Sequence, residues 1–146
     1  MKVDNIAYLD TSALAKWYLN EKNSDEFSAY IQKLDVAIIS SLTCIEMRSL
    51  LARRRRMEEI DVELELTIYT LFKDDISHGY LQLYHVENSN LEAAVDLIDC
   101  YPKYPLRTLD ALHLTIVRNY GITSIATADE VVAKVAKEMG CAVKLF

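Results

Sequence analysis

The sequence predicts a three-layer α/β/α sandwich around a mainly parallel central sheet. Two observations predict it. Short apolar, β-branched runs alternate with stretches of helical spacing along the 146 residues, and neither an internal repeat nor a linker divides them. Residues 6–9 form the first apolar run, ending at Asp10, after which Ser12 can cap a helix to about residue 19. Ser24 can cap a second helix, with Phe27, Tyr30, Ile31 and Leu34 at helical spacing. Residues 36–39 are short and β-branched and read as a buried strand. A long helix follows from about residue 43 into Arg53-Arg-Arg-Arg56, and another from about 58 to 72. Residues 81–86 read as a third strand, 90–100 as a helix, and Tyr101-Pro-Lys-Tyr-Pro105 as a loop. A helix over 107–120 is closed by Gly121, and 122–126 is the fourth strand. A helix over 128–139 with Gly140 as its C′ residue and a last strand over 142–145 complete the chain.

Size and composition exclude several classes. One domain spanning 1–146 is the economical reading, since a chain of this length buries roughly 68–70% of its unfolded surface. Half of the residues are hydrophobic, Gly and Pro are scarce, and no long polar tract invites disorder. Cys44, Cys100 and Cys141 are odd in number and lack CxxC spacing, so reduced thiols in a cytoplasmic protein are expected rather than a disulfide frame or zinc knuckle. No leader is expected, because Asp4 and Asp10 interrupt the early apolar run; no stretch is long enough to span a bilayer. A formal charge of −6 argues against a nonspecific nucleic-acid coat and leaves Arg53–Arg56 as the local basic patch.

Four acids in apolar surroundings carry the functional signal: Asp10, Glu46, Asp110 and Asp129. Parallel sheets bind ligands at the carboxyl ends of their strands. Asp10 follows the first strand directly and Asp129 follows the fourth by three residues, so both fall on one rim. Thr11 and Ser12 make a capping role for Asp10 redundant; Ser12 also argues against a haloacid-dehalogenase-like phosphatase, which needs an aspartate there. Thr43-Cys-Ile-Glu46 fits a capping box, yet Leu42 and Leu50 turn Glu46's helix face toward the core. Asp110 suits the first turn of its helix, where it meets the positive end of the dipole, and Leu106 and Leu114 again mark its face as inward. His113, one turn on, is a candidate to support an acid rather than a ligand itself. Asp129 sits inside a second capping box, Thr127-Ala-Asp-Glu130.

Buried carboxylates repel one another unless a cation joins them, and oxygen donors without His or Cys suit Mg²⁺, with Mn²⁺ as a substitute. Thr11 and Ser12 are candidates to orient water or a phosphate oxygen. Lys16, Arg48 and Arg53 carry charge that could neutralise phosphates.

Leu9-Asp-Thr-Ser-Ala-Leu14, Ser41-Leu-Thr-Cys-Ile-Glu-Met-Arg48, Leu106-Arg-Thr-Leu-Asp-Ala-Leu-His-Leu114 and Ala126-Thr-Ala-Asp-Glu130 resemble, in order and spacing, the PIN-domain nucleases. The resemblance is greater to the VapC-type toxins of prokaryotic toxin–antitoxin pairs, and it runs from Tyr8 to Val143. It implies a PIN-like fold and a Mg²⁺-dependent endoribonuclease, with Lys16, Arg48 and Arg53 as candidate RNA contacts and Trp17 and Tyr18 as rings that could stack on bases. Asp10, Glu46 and Asp110 match the family's metal-binding acids, and Asp129 its more variable fourth. It further implies a homodimer and a cognate antitoxin whose C-terminal segment silences the active-site groove. Two alternatives stay open: a PIN nuclease of RNA processing, and a noncatalytic RNA- or protein-binding module of the same fold.

Overall fold

The computed structural model describes residues 5–146; the leader-free start, read partly from Asp4, lies outside them. Among these residues five parallel strands form one sheet: β1 (Ile6–Leu9), β2 (Val36–Ser40), β3 (Gln82–Tyr84), β4 (Ser124–Thr127) and β5 (Ala142–Leu145). Their order is β3-β2-β1-β4-β5, with β1 paired to both β2 and β4. The expected mainly parallel sandwich is therefore found with every pairing parallel.

Among the described residues seven helices cover the sheet: α1 (Thr11–Tyr18), α2 (Ser24–Ile31), α3 (Ser41–Arg56), α4 (Val62–Ser77), α5 (Asn88–Cys100), α6 (Thr108–Asn119) and α7 (Glu130–Glu138). Alternation along the strands builds two cores. Tyr8, Ile38 and Ile125 point to one face, where Leu97, Leu114, Ile116 and Val135 from α5, α6 and α7 bury them. Their neighbours Leu9, Ile39 and Ala126 point to the other, against Leu14, Phe27, Met47, Leu51 and Phe72 from α1 to α4. Strands buried on both faces explain why these runs are apolar throughout rather than alternating with polar residues.

Several boundaries move, each because a different side chain takes the cap. Asp10 itself caps α1, accepting from the Ala13 N–H at 3.0 Å, so Thr11 and Ser12 do not make its capping role redundant. The helix α3 begins at Ser41, and Thr43 Oγ1 accepts from the Ser40 N–H at 3.2 Å; Glu46 takes no part in that cap. Asp61 caps α4, which runs to Ser77 rather than from 58 to 72. Asp129 is the N-cap of α7, accepting from the Val131 and Val132 N–H groups, and this replaces the Thr127–Glu130 box. Gly140 ends that segment at φ 91, a left-handed backbone that side chains resist.

One buried ionic cluster ties α3 to α4. Glu65 is 2% exposed and accepts from Arg48 at 2.9 Å and from Arg55. Burial alone would raise its carboxyl, but the two guanidinium groups outweigh that and hold it below the ordinary range.

Candidate metal-binding and catalytic site

The strand order reverses direction between β1 and β4, and such a switch point opens a crevice at the carboxyl ends of the strands. Asp10 leaves β1 there and Thr127 ends β4 beside it. Thr127 Oγ1 donates to Asp10 Oδ2, and Ser12 Oγ donates to Asp10 Oδ1 at 2.7 Å. Asp10 is 4% exposed. Loss of hydration raises its carboxyl above the ordinary value of 3.8, against the lowering pull of His113 and of the hydroxyl and amide donors. A carboxylate placed so deep is costly to ionise without a cation nearby.

Glu46 enters the same rim from the second turn of α3. Thr11 Oγ1 donates to its Oε1 at 2.9 Å, and His113 Nε2 donates to the same oxygen. Burial would raise Glu46, yet the His113 contact, Thr11 and the charge of Arg107 together hold it lowered, so it stays ionised. His113 is 3% exposed, and its Nδ1 lies 2.6 Å from Tyr8 Oη, which lies 3.0 Å from Ser40 Oγ. The imidazole thus bridges Glu46 on its Nε2 side and Tyr8 on its Nδ1 side. Burial pushes the Tyr8 phenol well above its ordinary value, so the phenol keeps its proton.

Asp110 lies in the first turn of α6 with its side chain 13% exposed, and Asp129 caps α7 at 24%. One guanidinium joins them: Arg107 Nε is 3.1 Å from Asp110 Oδ2, and Nη2 is 3.3 Å from Asp129 Oδ2. Arg107 thus joins Asp110 to Asp129, Thr127 joins Asp129 to Asp10 by accepting from the Asp129 N–H and donating to Asp10, and Glu46 is held beside Asp10 by Thr11 and His113.

Not every candidate belongs to it. Thr11 and Ser12 do, but as supports: Thr11 holds Glu46, while Ser12 holds Asp10 and accepts from the Ala128 N–H at 2.9 Å. Lys16 does not. Its side chain is 8% exposed and its ammonium donates to the Lys22 carbonyl at 2.7 Å, so the expected RNA contact is engaged inside the fold. Arg48 is tied to Glu65 and stacks over Tyr69, 5.2 Å from the ring centre. Arg53 is exposed on α3, seven residues past Glu46 and so on the same helix face, about 10 Å along the axis. Tyr18 packs edge-on to Phe72 and donates to Asp75, which removes it as a base-stacking surface. Trp17 remains half exposed, lining a cavity of about 460 Å³ with Tyr18, Asp35, Asp75 and Tyr80. That cavity lies at the amino-terminal end of the strands and contains none of the four acids.

Sequence reasoning missed Arg107 as a member of the cluster, although its place three residues before Asp110 was a signal. It also left open what His113 would hold.

The donor set suits a hard divalent cation. Each carboxylate has acceptor capacity left over: Asp10 Oδ2 accepts one hydrogen bond, and Glu46 Oε2 and Asp110 Oδ1 accept none among the described residues. Among the described residues no three ligating side chains stand in ready-made metal-binding array. The positive charge among Glu46, Asp110 and Asp129 is supplied by Arg107.

Comparisons with known proteins agree with this fold. Ribonuclease VapC46 of Mycobacterium tuberculosis (strain ATCC 25618 / H37Rv) is 29% identical over 139 residues, covering 93% of this chain and 94% of that protein. Among solved structures, Mycobacterium tuberculosis VapC20, a sarcin–ricin loop cleaving toxin, superposes with a TM-score of 0.71 at 18% identity, over 88% of this chain and 93% of that one. FitAcB from Neisseria gonorrhoeae gives 0.70 at 14% identity, over 94% and 95%. VapBC2 from Rickettsia felis, solved with a promoter DNA fragment, gives 0.67 at 10% identity, over 97% and 98%. At these identities the structures speak for the fold. The PIN domain family matches residues 7–138, the span that runs from β1 through α7 and holds all four acids, and the chain belongs to that family.

Proposed function

We propose that this chain is a divalent-metal-dependent endoribonuclease and the toxin of a toxin–antitoxin pair. The observation that carries the reading is the convergence of Asp10, Glu46, Asp110 and Asp129 on the carboxyl rim at the β1/β4 switch point. A Mg²⁺ ion, or Mn²⁺ in its place, would activate a water and steady the leaving oxygen of a phosphodiester. Asp10 and Asp110 are the principal candidates to hold it, with Glu46 and Asp129 beside them. Ser12, Thr127 and the Ala13 N–H fix the Asp10 carboxylate, and Thr11 and His113 fix Glu46. Exposed Arg53 is positioned to meet a phosphate further along an RNA strand. The name of the 29%-identical relative supports ribonuclease chemistry, and the toxin and complex structures support an antitoxin partner.

A homodimer in the cytoplasm completes the proposal. Leu91, Val95 and Ile98 are exposed at helical spacing on α5 and offer an apolar contact stripe. No helix among the described residues is long and apolar enough to cross a membrane.

Two results test the reading. An ion bound by the folded chain alone stabilises it by about 2.7 kcal/mol at about 100 times its Kd, which raises the melting temperature by about 5–10 °C. Saturating Mg²⁺ or Mn²⁺ should produce that rise in wild type; an unmoved melting curve would count against a folded metal site. His113→Ala should weaken Mn²⁺ binding about 10- to 100-fold, because Glu46 loses the donor that orients it. Calorimetric titration with Mn²⁺ reads this directly, and unchanged affinity would remove His113 from the site.

A further inference from the structure

We propose that Arg107 is the resident counter-cation of the acid cluster, which a divalent ion displaces and which then takes an RNA phosphate at the rim. The proposal rests on the metal-nuclease reading and adds to it a residue with two alternating partners.

Three observations carry it. Arg107 is the cation that the described structure puts among the acids: it pairs with Asp110 at 3.1 Å and Asp129 at 3.3 Å, two residues held on different helices. Lys16, Arg48, Arg54 and Arg55 are committed to Glu21, Glu59 or Glu65. Second, its side chain is 76% exposed, and ion pairs open to water are weak and exchange readily. Third, Glu46 also feels its charge, so a single guanidinium compensates three carboxylates that would otherwise repel one another.

A doubly charged ion seated on Asp110, with Asp129 beside it, repels Arg107 from between them, since like charges at such separation disfavour each other. The ion and the guanidinium therefore compete. A displaced Arg107 stays tethered at the head of α6, and its planar fork matches a phosphate bidentately. One residue would then keep the empty site from repelling itself and hold substrate once the site is loaded.

The consequence is a pair of effects with opposite signs. In Arg107→Gln, the half-saturating Mn²⁺ concentration, read by calorimetry without RNA, should fall about three- to tenfold, because a competitor worth one or two exposed ion pairs is gone. Cleavage of single-stranded RNA at saturating Mn²⁺ should meanwhile fall about tenfold or more, the loss of one charge-assisted hydrogen bond. Arg107→Lys keeps the charge without the fork, so its Mn²⁺ affinity should stay near wild type while cleavage drops. A purely structural role would move both readouts of Arg107→Gln the same way. Mn²⁺ affinity equal to or weaker than wild type in Arg107→Gln overturns the counter-cation role, and full cleavage at saturating Mn²⁺ overturns the phosphate role. Absence of Mn²⁺ binding in both wild type and Arg107→Gln would instead bring down the metal reading and this inference with it; Mn²⁺ binding by Arg107→Gln alone would support displacement in its strongest form.

Discussion

Asp10→Asn is expected to reduce RNA cleavage at least about 100- to 1,000-fold while leaving the fold intact, a loss of the size seen when one preorganised electrostatic contact to a reacting centre is removed. The substitution keeps the shape and two of the three hydrogen bonds that the carboxylate accepts, while the Thr127 hydroxyl must turn to accept from the new amide nitrogen. An amide oxygen can still accept from the Ala13 N–H and Ser12 Oγ, so α1 stays capped. It also loses the negative charge, costly to bury at 4% exposure, that would attract a metal ion. The same reasoning fixes a pH dependence. Because burial raises the folded-state value of Asp10 above its ordinary 3.8, the native state binds that proton more tightly than the unfolded chain. Metal-free wild type should accordingly lose stability as pH rises from about 3.8 through the raised value, and keep it below. Asp10→Asn should lack this decline. Melting curves across the acidic range, recorded in chelator, compare the two proteins, and a decline of equal size in both would show that Asp10 is not the group responsible. Wild-type metal binding should also be absent from the variant.

Leu114→Ala is expected to destabilise the chain by about 3–5 kcal/mol, lowering the melting temperature by about 10 °C or more, against a total stability of about 5–15 kcal/mol. Leu114 is wholly buried beside Tyr8, Ile38, Leu97 and Ile125, on the helix that also carries Asp110 and His113. Removing it leaves a cavity that the close-packed neighbours fill only in part. Its chemistry should survive: at temperatures where the variant is folded, metal-dependent cleavage should stay within a few-fold of wild type. Denaturant melts give the first quantity and cleavage assays in the cold the second. A loss below about 1 kcal/mol would contradict the packing described for α6. The two variants are thus expected to separate what α6 and α1 do for the fold from what their acids do for the reaction.

Much of this was legible in the chain, for physical reasons that also mark where legibility ends. The runs at Ile6–Leu9 and Val36–Ser40 announce buried parallel strands because both of their faces are covered. From that alone the rim location of Asp10 and Asp129 follows. Leu42 and Leu50 likewise disclose the inward face of Glu46. Local periodicity reports burial along one element, however, and says nothing about which distant side chain waits on the other side. His113 and Glu46 are 67 residues apart, and Arg107 and Asp129 are 22. The capping assignments failed for a related reason. Asp10, Thr11 and Ser12 are all competent caps, and only the hydrogen bonds of Thr11 to Glu46 and Ser12 to the Ala128 N–H decide that Asp10 takes the role. Lys16 was misjudged because its ammonium turns back on the loop before α2, where Asn23 at φ 67 redirects the chain.

The cluster also explains why stability and activity should pull against each other here. Asp10 and Asp129 cap α1 and α7, but the four acids together gather more negative charge than capping needs, and the hydroxyls of Thr11, Ser12 and Thr127, the His113 imidazole and the Arg107 guanidinium make the arrangement tolerable. Sites that violate local folding preferences in this way are where function concentrates.

The most direct test is a side-by-side cleavage assay of purified wild type and Asp10→Asn on total RNA, in Mg²⁺ and in EDTA. The expected result is cleavage by wild type in Mg²⁺ alone, restored by Mn²⁺ after chelation, and none by the variant. Cleavage by wild type that persists in EDTA, or cleavage by folded Asp10→Asn at the wild-type rate, would contradict the account.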